Sequence, residues 1–177
     1  MNLIINPQRE QWKEILKRPY EDNRAVLESV QSILNAVKQH GDEALRSFTK
    51  KFDGVELEDF EVNAEELKNA AQEISPALKK AILQAKSNIE KFHLAQQQQE
   101  HVIETMPGIQ CWRKSIGIEK VGLYIPGGTA PLFSTVLMLG IPAKIAGCGD
   151  IILCTPCSKD GEIHRAILFA AQLVGVT

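Results

Sequence analysis

The stretch from Val121 to Gly175 constrains the fold more than any other, because it reads strand, turn, helix, strand, helix in that order. VGLYIP and DIILCTP are nearly continuous apolar runs, and the segments after them, PLFSTVLMLGIPAKIAG and GEIHRAILFAAQLVG, have helical character. Strands without polar alternation suit a parallel sheet covered by helices on both faces, and parallel neighbours need a helical crossover between them. The expectation is a parallel βαβ unit with Ile151, Ile152 and Leu153 in its core. Gly140 and Pro142 interrupt the first helix, and a proline lacks the N–H that helix propagation requires, so two helical pieces are expected there. The sequence closes on Gly175-Val176-Thr177, where such a series would begin its next strand. Two parallel strands make a poorly supported sheet, so the domain reads as incomplete.

Upstream the hydrophobic period changes from strand-like to helical. Val26, Val30, Ile33, Leu34 and Val37 recur at three- and four-residue spacing, and Gly41 supplies a stop, which predicts an amphipathic helix from Asn23 to His40. Asp42 reads as the cap of GDEALRSFTKKF, a helix ending near Phe52-Asp53-Gly54. Asn63 with Glu66 reads as a capping box for AEELKNAAQEI, and Ser75-Pro76 as the start of a further helix. That helix carries Leu78, Ile82, Ala85, Ile89 and Phe92 in one stripe, the pattern of packing within its own fold. From Val102 to Ile118, where Pro107-Gly108 marks a turn, a hairpin or irregular strands are expected. The division expected is therefore a helical region, residues 1–101, followed by the first part of a nucleotide-binding domain, residues 102–177.

Composition excludes several classes of function. With 44% hydrophobic and 24% charged residues and a net charge of -2, the 177-residue chain has the profile of an ordinary globular protein, long enough to bury a core. So even a balance offers no basic footprint for nucleic acid or an anionic membrane surface. No apolar run approaches the roughly 18 residues of a membrane span, and MNLIINPQREQW lacks a signal pattern, so a cytoplasmic protein is expected. Four cysteines, three of them within Cys148–Cys157, do not form a secreted disulfide framework, and reduced thiols are the default.

The segment that can do chemistry is Tyr124-Ile125-Pro126-Gly127-Gly128-Thr129-Ala130-Pro131, a strand end, a glycine pair and a helix start near Pro131. Paired glycines let a ligand approach the main chain, and a helix N-terminus directs free N–H groups at an anion such as a pyrophosphate. The site lies beyond the C-terminal ends of the parallel strands, where open α/β sheets bind ligands. The pattern is neither GxGxxG nor a P-loop, so by itself it reads equally as a plain turn. Cys154 and Cys157 form a CxxC that, with Cys148 and His164, has the residue types of a redox pair or zinc site. A single CxxC without a second pair is weak evidence for either, and His40, His93 and His101 read as surface or capping residues.

The run VGLYIPGGTAPLFSTVLMLGIPAKIAGCGDIILCTP resembles, nearly residue for residue, a segment of the histidinol dehydrogenases. HGDEALRSFTKKFDG, NIEKFH, MPGIQCW and AAQLVGV match further elements of that family in the same order. The resemblance covers essentially the whole chain, as an N-terminal portion. It implies a helical arm followed by the start of a Rossmann-like domain of aldehyde dehydrogenase-like architecture. It further implies a homodimeric, zinc- and NAD-dependent enzyme of histidine biosynthesis that oxidises L-histidinol through an aldehyde to L-histidine. On matching positions Tyr124 resembles the family's NAD-contacting tyrosine, with Phe52 and Pro126 as further cofactor contacts. The zinc ligands, the Glu-His pair that moves protons and the substrate-binding serine belong to family sequence beyond these motifs, which implies that this chain alone is inactive. The alternatives are a non-catalytic nucleotide-binding module and a structural fragment.

Overall fold

The computed structural model describes residues 3–18, 23–127 and 130–176. The chain falls into two units, Met1–Leu45 and Arg46–Thr177.

In the first unit a 3-10 turn, Arg9–Gln11, runs into the short α1 (Trp12–Ile15), and α2 spans Arg24–His40. Helix α2 stops where expected: Gly41 adopts φ +55 and its N–H donates to the Val37 carbonyl at 2.8 Å. Of its apolar stripe Val26, Val30 and Leu34 are exposed, while Ile33 and Val37 are half-buried. Helix α3 (Asp42–Phe52) follows without a loop, so Asp42 is its first helical residue and not the preceding cap. Asp42 and Glu43 in its first turn and Lys50 and Lys51 in its last oppose the helix dipole favourably.

In the second unit α3 ends as the N–H groups of Asp53 and Gly54 both reach the Thr49 carbonyl, at 2.9 and 3.1 Å. Asn63 caps α4 (Ala64–Asn69) by accepting from the Glu66 N–H at 2.8 Å. That helix is shorter than the pattern predicts, since the chain turns at Ala70, which is fully buried, before Ser75 and Pro76 open α5 (Pro76–Leu94). Of the predicted α5 stripe, Ile82 is fully buried and Leu78, Ala85 and Ile89 pack against the core, whereas Phe92 is exposed. β1 (Ile103–Met106) and β2 (Ile109–Cys111) form the predicted antiparallel hairpin, Gly108 taking φ +82 in its turn.

β3 (Lys120–Tyr124) and β4 (Asp150–Cys154) pair in parallel, in register from Lys120 opposite Asp150 to Tyr124 opposite Cys154. Between them runs α6 (Phe133–Ile145), and α7 (Arg165–Val174) follows. Helices α4, α5, α6 and α7 bury Ile82, Val136, Leu137, Ile141, Ala166 and Phe169 together with Ile125 of the strand end. Each fully buried side chain of the size of Ile82 or Leu137 contributes about 1.5–3 kcal/mol.

Two further expectations need correction. Helix α6 is continuous through Pro142, because the proline sits near its C-terminal end and Val136, Leu137 and Ile141 hold the helix in the core. At Gly140 a Cβ would stand 2.5 Å from Val174 Cγ2, so the missing side chain lets α6 and α7 approach. Ile152 is not a core residue. Successive strand residues face opposite sides of a sheet, and helices cover only one: Ile151 is buried while Ile152 is 57% exposed.

Among the described residues no helix is long and apolar enough to cross a membrane.

Candidate functional site

Pairing between β3 and β4 continues one step past the strands, as the Ile125 N–H donates to the Cys154 carbonyl at 2.9 Å. The two strand-end loops are thereby held side by side. A Cβ at Gly127 would lie 2.7 Å from Pro156 Cγ, so the absence of a side chain there is what admits Pro156. Pro126 is exposed beside it. Tyr124 ends β3 and is 65% exposed, on the sheet face opposite buried Ile125. Gly128 and Thr129, the second half of the predicted glycine turn, lie outside the described residues. Helix α6 starts at Phe133, two residues later than predicted, and its cap Leu132 has no side chain that can satisfy the first N–H groups. Within that first turn the Thr135 and Val136 N–H groups both donate to the Leu132 carbonyl, at 3.0 and 3.4 Å.

The third predicted contact, Phe52, belongs to the neighbouring α3 end. Its ring is 60% exposed, stacked on Phe48 at 5.9 Å between centroids, with Lys51 Nζ 5.3 Å from its centre. The segment after it lies against the loop that follows β4: a Cβ at Gly161 would sit 3.4 Å from Leu57 and 3.6 Å from Val55. Tyr124 and Pro126 therefore share one strand end, and Phe52 heads a segment that reaches the adjoining loop.

That loop is a compact turn. Ser158 N donates to the Glu162 carbonyl at 2.9 Å, Glu162 N donates to Asp160 at 3.0 Å, and the Ser158 hydroxyl also bonds Asp160. These bonds hold the Asp160 carboxyl below its usual range, the Ser158 hydroxyl having the largest effect. Burial pushes the Cys157 thiol up, and the charges of Asp53 and Asp160 push it further. A thiol so disposed is a poor thiolate, and Cys154 and Cys157 are both free cysteines here.

The zinc reading of the same cysteines fails. His164 caps α7, its Nδ1 accepting the Ala166 N–H at 3.1 Å, and Cys148 is buried while Cys154 is exposed. Among the described residues no group of three or more His, Cys, Asp or Glu is placed to hold a metal ion. The residues here do not fit a zinc centre, which needs about four converging donors.

Sequence reasoning missed several residues. Pro156 closes on Gly127, Asp53 acts on Cys157, and Arg165 anchors α7 through Glu66, Glu73 and Glu162 at 2.8, 2.7 and 3.0 Å. Gln97, in the glutamine tract, donates to the last α6 carbonyl, Ile145, at 3.2 Å. Apart from the i,i+3 pair of Arg165 with Glu162, these are long-range pairings without a local pattern.

Residues 16–177 match the family model described as histidinol dehydrogenase. The chain is 55% identical over 177 residues to a histidinol dehydrogenase of Bacteroides thetaiotaomicron, matching all of this chain and 41% of that one. It is 50% identical over 150 residues to one of Xylella fastidiosa, covering 85% of this chain and 35% of the relative. The crystal structure of histidinol dehydrogenase from Elizabethkingia anophelis superposes with a TM-score of 0.91 at 46% identity, over 98% of this chain and 40% of that one. The chain thus spans about two fifths of the length of the relatives it matches.

Proposed function

Since this chain belongs to the histidinol dehydrogenase family, we propose that it forms the NAD-facing part of a zinc-dependent oxidoreductase of histidine biosynthesis, one that converts L-histidinol through an aldehyde to L-histidine. The observation that carries the reading is the strand-end turn where Gly127 meets Pro156 at the C-terminal ends of two parallel strands, with Tyr124 and Pro126 exposed beside it, within a segment the family model matches throughout.

NAD, when bound, accepts the electrons of the alcohol. Tyr124 offers a ring to stack on the cofactor and a hydroxyl to hydrogen-bond it, Pro126 shapes the wall, and Phe52 adds an exposed ring from the α3 side. The positive end of the α6 dipole suits the pyrophosphate. In functional terms residues 102–177 are the first part of a Rossmann-like domain with aldehyde dehydrogenase-like architecture, and residues 1–101 are the helical region that precedes it. Zinc, proton transfer and histidinol recognition, and the homodimer the family implies, depend on sequence that relatives hold beyond the matched part. On this reading the chain alone supplies no turnover, because a base within hydrogen-bond reach of the reacting proton is required.

Purified chain tests this directly: NAD is titrated in by calorimetry, metal content is measured, and NADH formation is followed with histidinol. Binding of NAD without zinc and without turnover supports the proposal. Turnover by this chain alone overturns its inactivity, and absence of NAD binding leaves the structural-fragment reading.

A further inference from the structure

Gly127 does not use the conformational freedom of glycine, since its φ lies outside the positive region that Gly41, Gly54 and Gly108 occupy. What requires a glycine there is space. A Cβ at Gly127 would stand 2.7 Å from Pro156 Cγ, 3.8 Å from Pro156 Cβ and 4.0 Å from Pro156 Cδ. The first distance is far inside the optimal separation of two carbons, while the other two are ordinary contacts. The whole conflict lies with one atom, and that atom belongs to a closed ring that cannot swing aside as a flexible side chain would.

Pro156, half-buried, is also braced from behind. The loop that carries it leaves β4 through Cys154, then closes on itself as Ser158 N donates to the Glu162 carbonyl and Gly161 N to the Ser158 carbonyl, each at 2.9 Å. Arg165 holds Glu162 at 3.0 Å, and a Cβ at Gly161 would already touch Leu57 and Val55 at 3.4 and 3.6 Å. On the other side of the contact, the turn is tied to the sheet by the Ile125 N–H, which donates to the Cys154 carbonyl at 2.9 Å. Of the two surfaces that meet, the loop with Pro156 has the more fixings.

We propose that Pro156 is a positioning residue for the strand-end turn: its ring fills the space that Gly127 leaves and sets where Pro126 and Gly127 stand beside Tyr124. That the turn receives NAD rests on the function proposed above, whereas the role of Pro156 in setting the turn rests on the contact alone. A side chain at Gly127 would push the turn off the ring, and NAD would have to draw it back against that strain. The same distances predict a compensation. Pro156→Ala removes Cγ and Cδ and keeps Cβ, the atom that a Cβ at Gly127 would meet at an ordinary 3.8 Å. Gly127→Ala and Pro156→Ala should each disturb the turn, and together they should restore it.

The test compares the unaltered 177-residue chain with Gly127→Ala, with Pro156→Ala and with the double variant. Hydrogen exchange of the Ile125 amide reads the turn without any ligand, with the amide of Phe169, buried in α7, as the reference, and calorimetry reads NAD. Gly127→Ala should speed Ile125 exchange about tenfold relative to Phe169 and weaken NAD binding about tenfold, within the range that overpacking strain spans. The double variant should bring both back to within about threefold of the unaltered chain. Where Gly127→Ala does not fold, Pro156→Ala, which only removes atoms, should still speed Ile125 exchange relative to Phe169, and the double variant should fold. A double variant that behaves as Gly127→Ala does, or Ile125 exchange unchanged in the single variants, overturns the proposal. So does a loss of protection shared equally by Ile125 and Phe169, the mark of a contact that supports the fold at large, and so does NAD bound equally well by the unaltered chain and Gly127→Ala. An unaltered chain that binds no NAD overturns the cofactor reading instead, and the exchange comparison still decides the role of Pro156.

Discussion

Arg165 and Glu66 stand 99 positions apart and meet at 2.8 Å, joining the first turn of α7 to α4. Glu73 and Glu162 complete the cluster around the same guanidinium. Burial works against the cation, yet the Glu66 hydrogen bond and the surrounding carboxylates outweigh it and hold Arg165 above the usual arginine range.

Arg165→Met removes the anchor and leaves three carboxylates facing one another. The variant should lose about 1–3 kcal/mol of stability, the range of a charge-assisted hydrogen bond whose partners are left unpaired. Urea unfolding measures it, and Arg165→Lys should recover only part, because a lysine cannot present donors in several directions from a planar fork.

Gly140→Ala should destabilise despite the better helix propensity of alanine. The added Cβ would meet Val174 Cγ2 at 2.5 Å, and overpacking costs about 1–3 kcal/mol against less than about 1 kcal/mol gained in propensity. In a double-mutant cycle with Val174→Ala the two changes should cost less together than their sum; strict additivity would show that the α6–α7 approach is not set at this contact.

Cys157 should be modified more slowly than Cys154 near neutral pH, since burial and two carboxylates keep its proton on. The folded chain favours the neutral thiol, so the reaction of Cys157 should rise only above the pH at which an ordinary cysteine responds. Asp53→Asn removes one raising charge and should move that profile to lower pH. An unmoved profile would leave burial and Asp160 as the causes.

For the proposed cofactor wall, Tyr124→Ala should weaken NAD binding by about 1 kcal/mol, roughly fivefold, the size of an aromatic contact beyond its area. Tyr124→Phe should keep the stacking part. Calorimetry reads both, and unchanged affinity in the alanine variant removes Tyr124 from the site.

Much of the chain's organisation is legible in its sequence because it depends on neighbours a few positions apart. Gly41 stops α2, Asn63 and Ser75 cap their helices, Pro107-Gly108 turns the hairpin, and two apolar runs with a helix between them pair in parallel. Family membership is likewise a property of residue order. Tertiary structure decided the rest, because burial depends on what packs across space and not on the polarity of a residue. Apolar strand runs alone mark Ile152 as core, yet only one face of β3–β4 is covered and Ile152 stands outside. A proline alone predicts a break in α6, yet core packing keeps the helix whole. The CxxC offers ligand chemistry on paper, but folding turns His164 into a helix cap and surrounds Cys157 with burial and carboxylates. In the crevice the sequence marks Tyr124, Pro126 and Gly127, while the fold alone brings Pro156 against Gly127 and Asp53 beside Cys157, through pairings that no local spacing encodes.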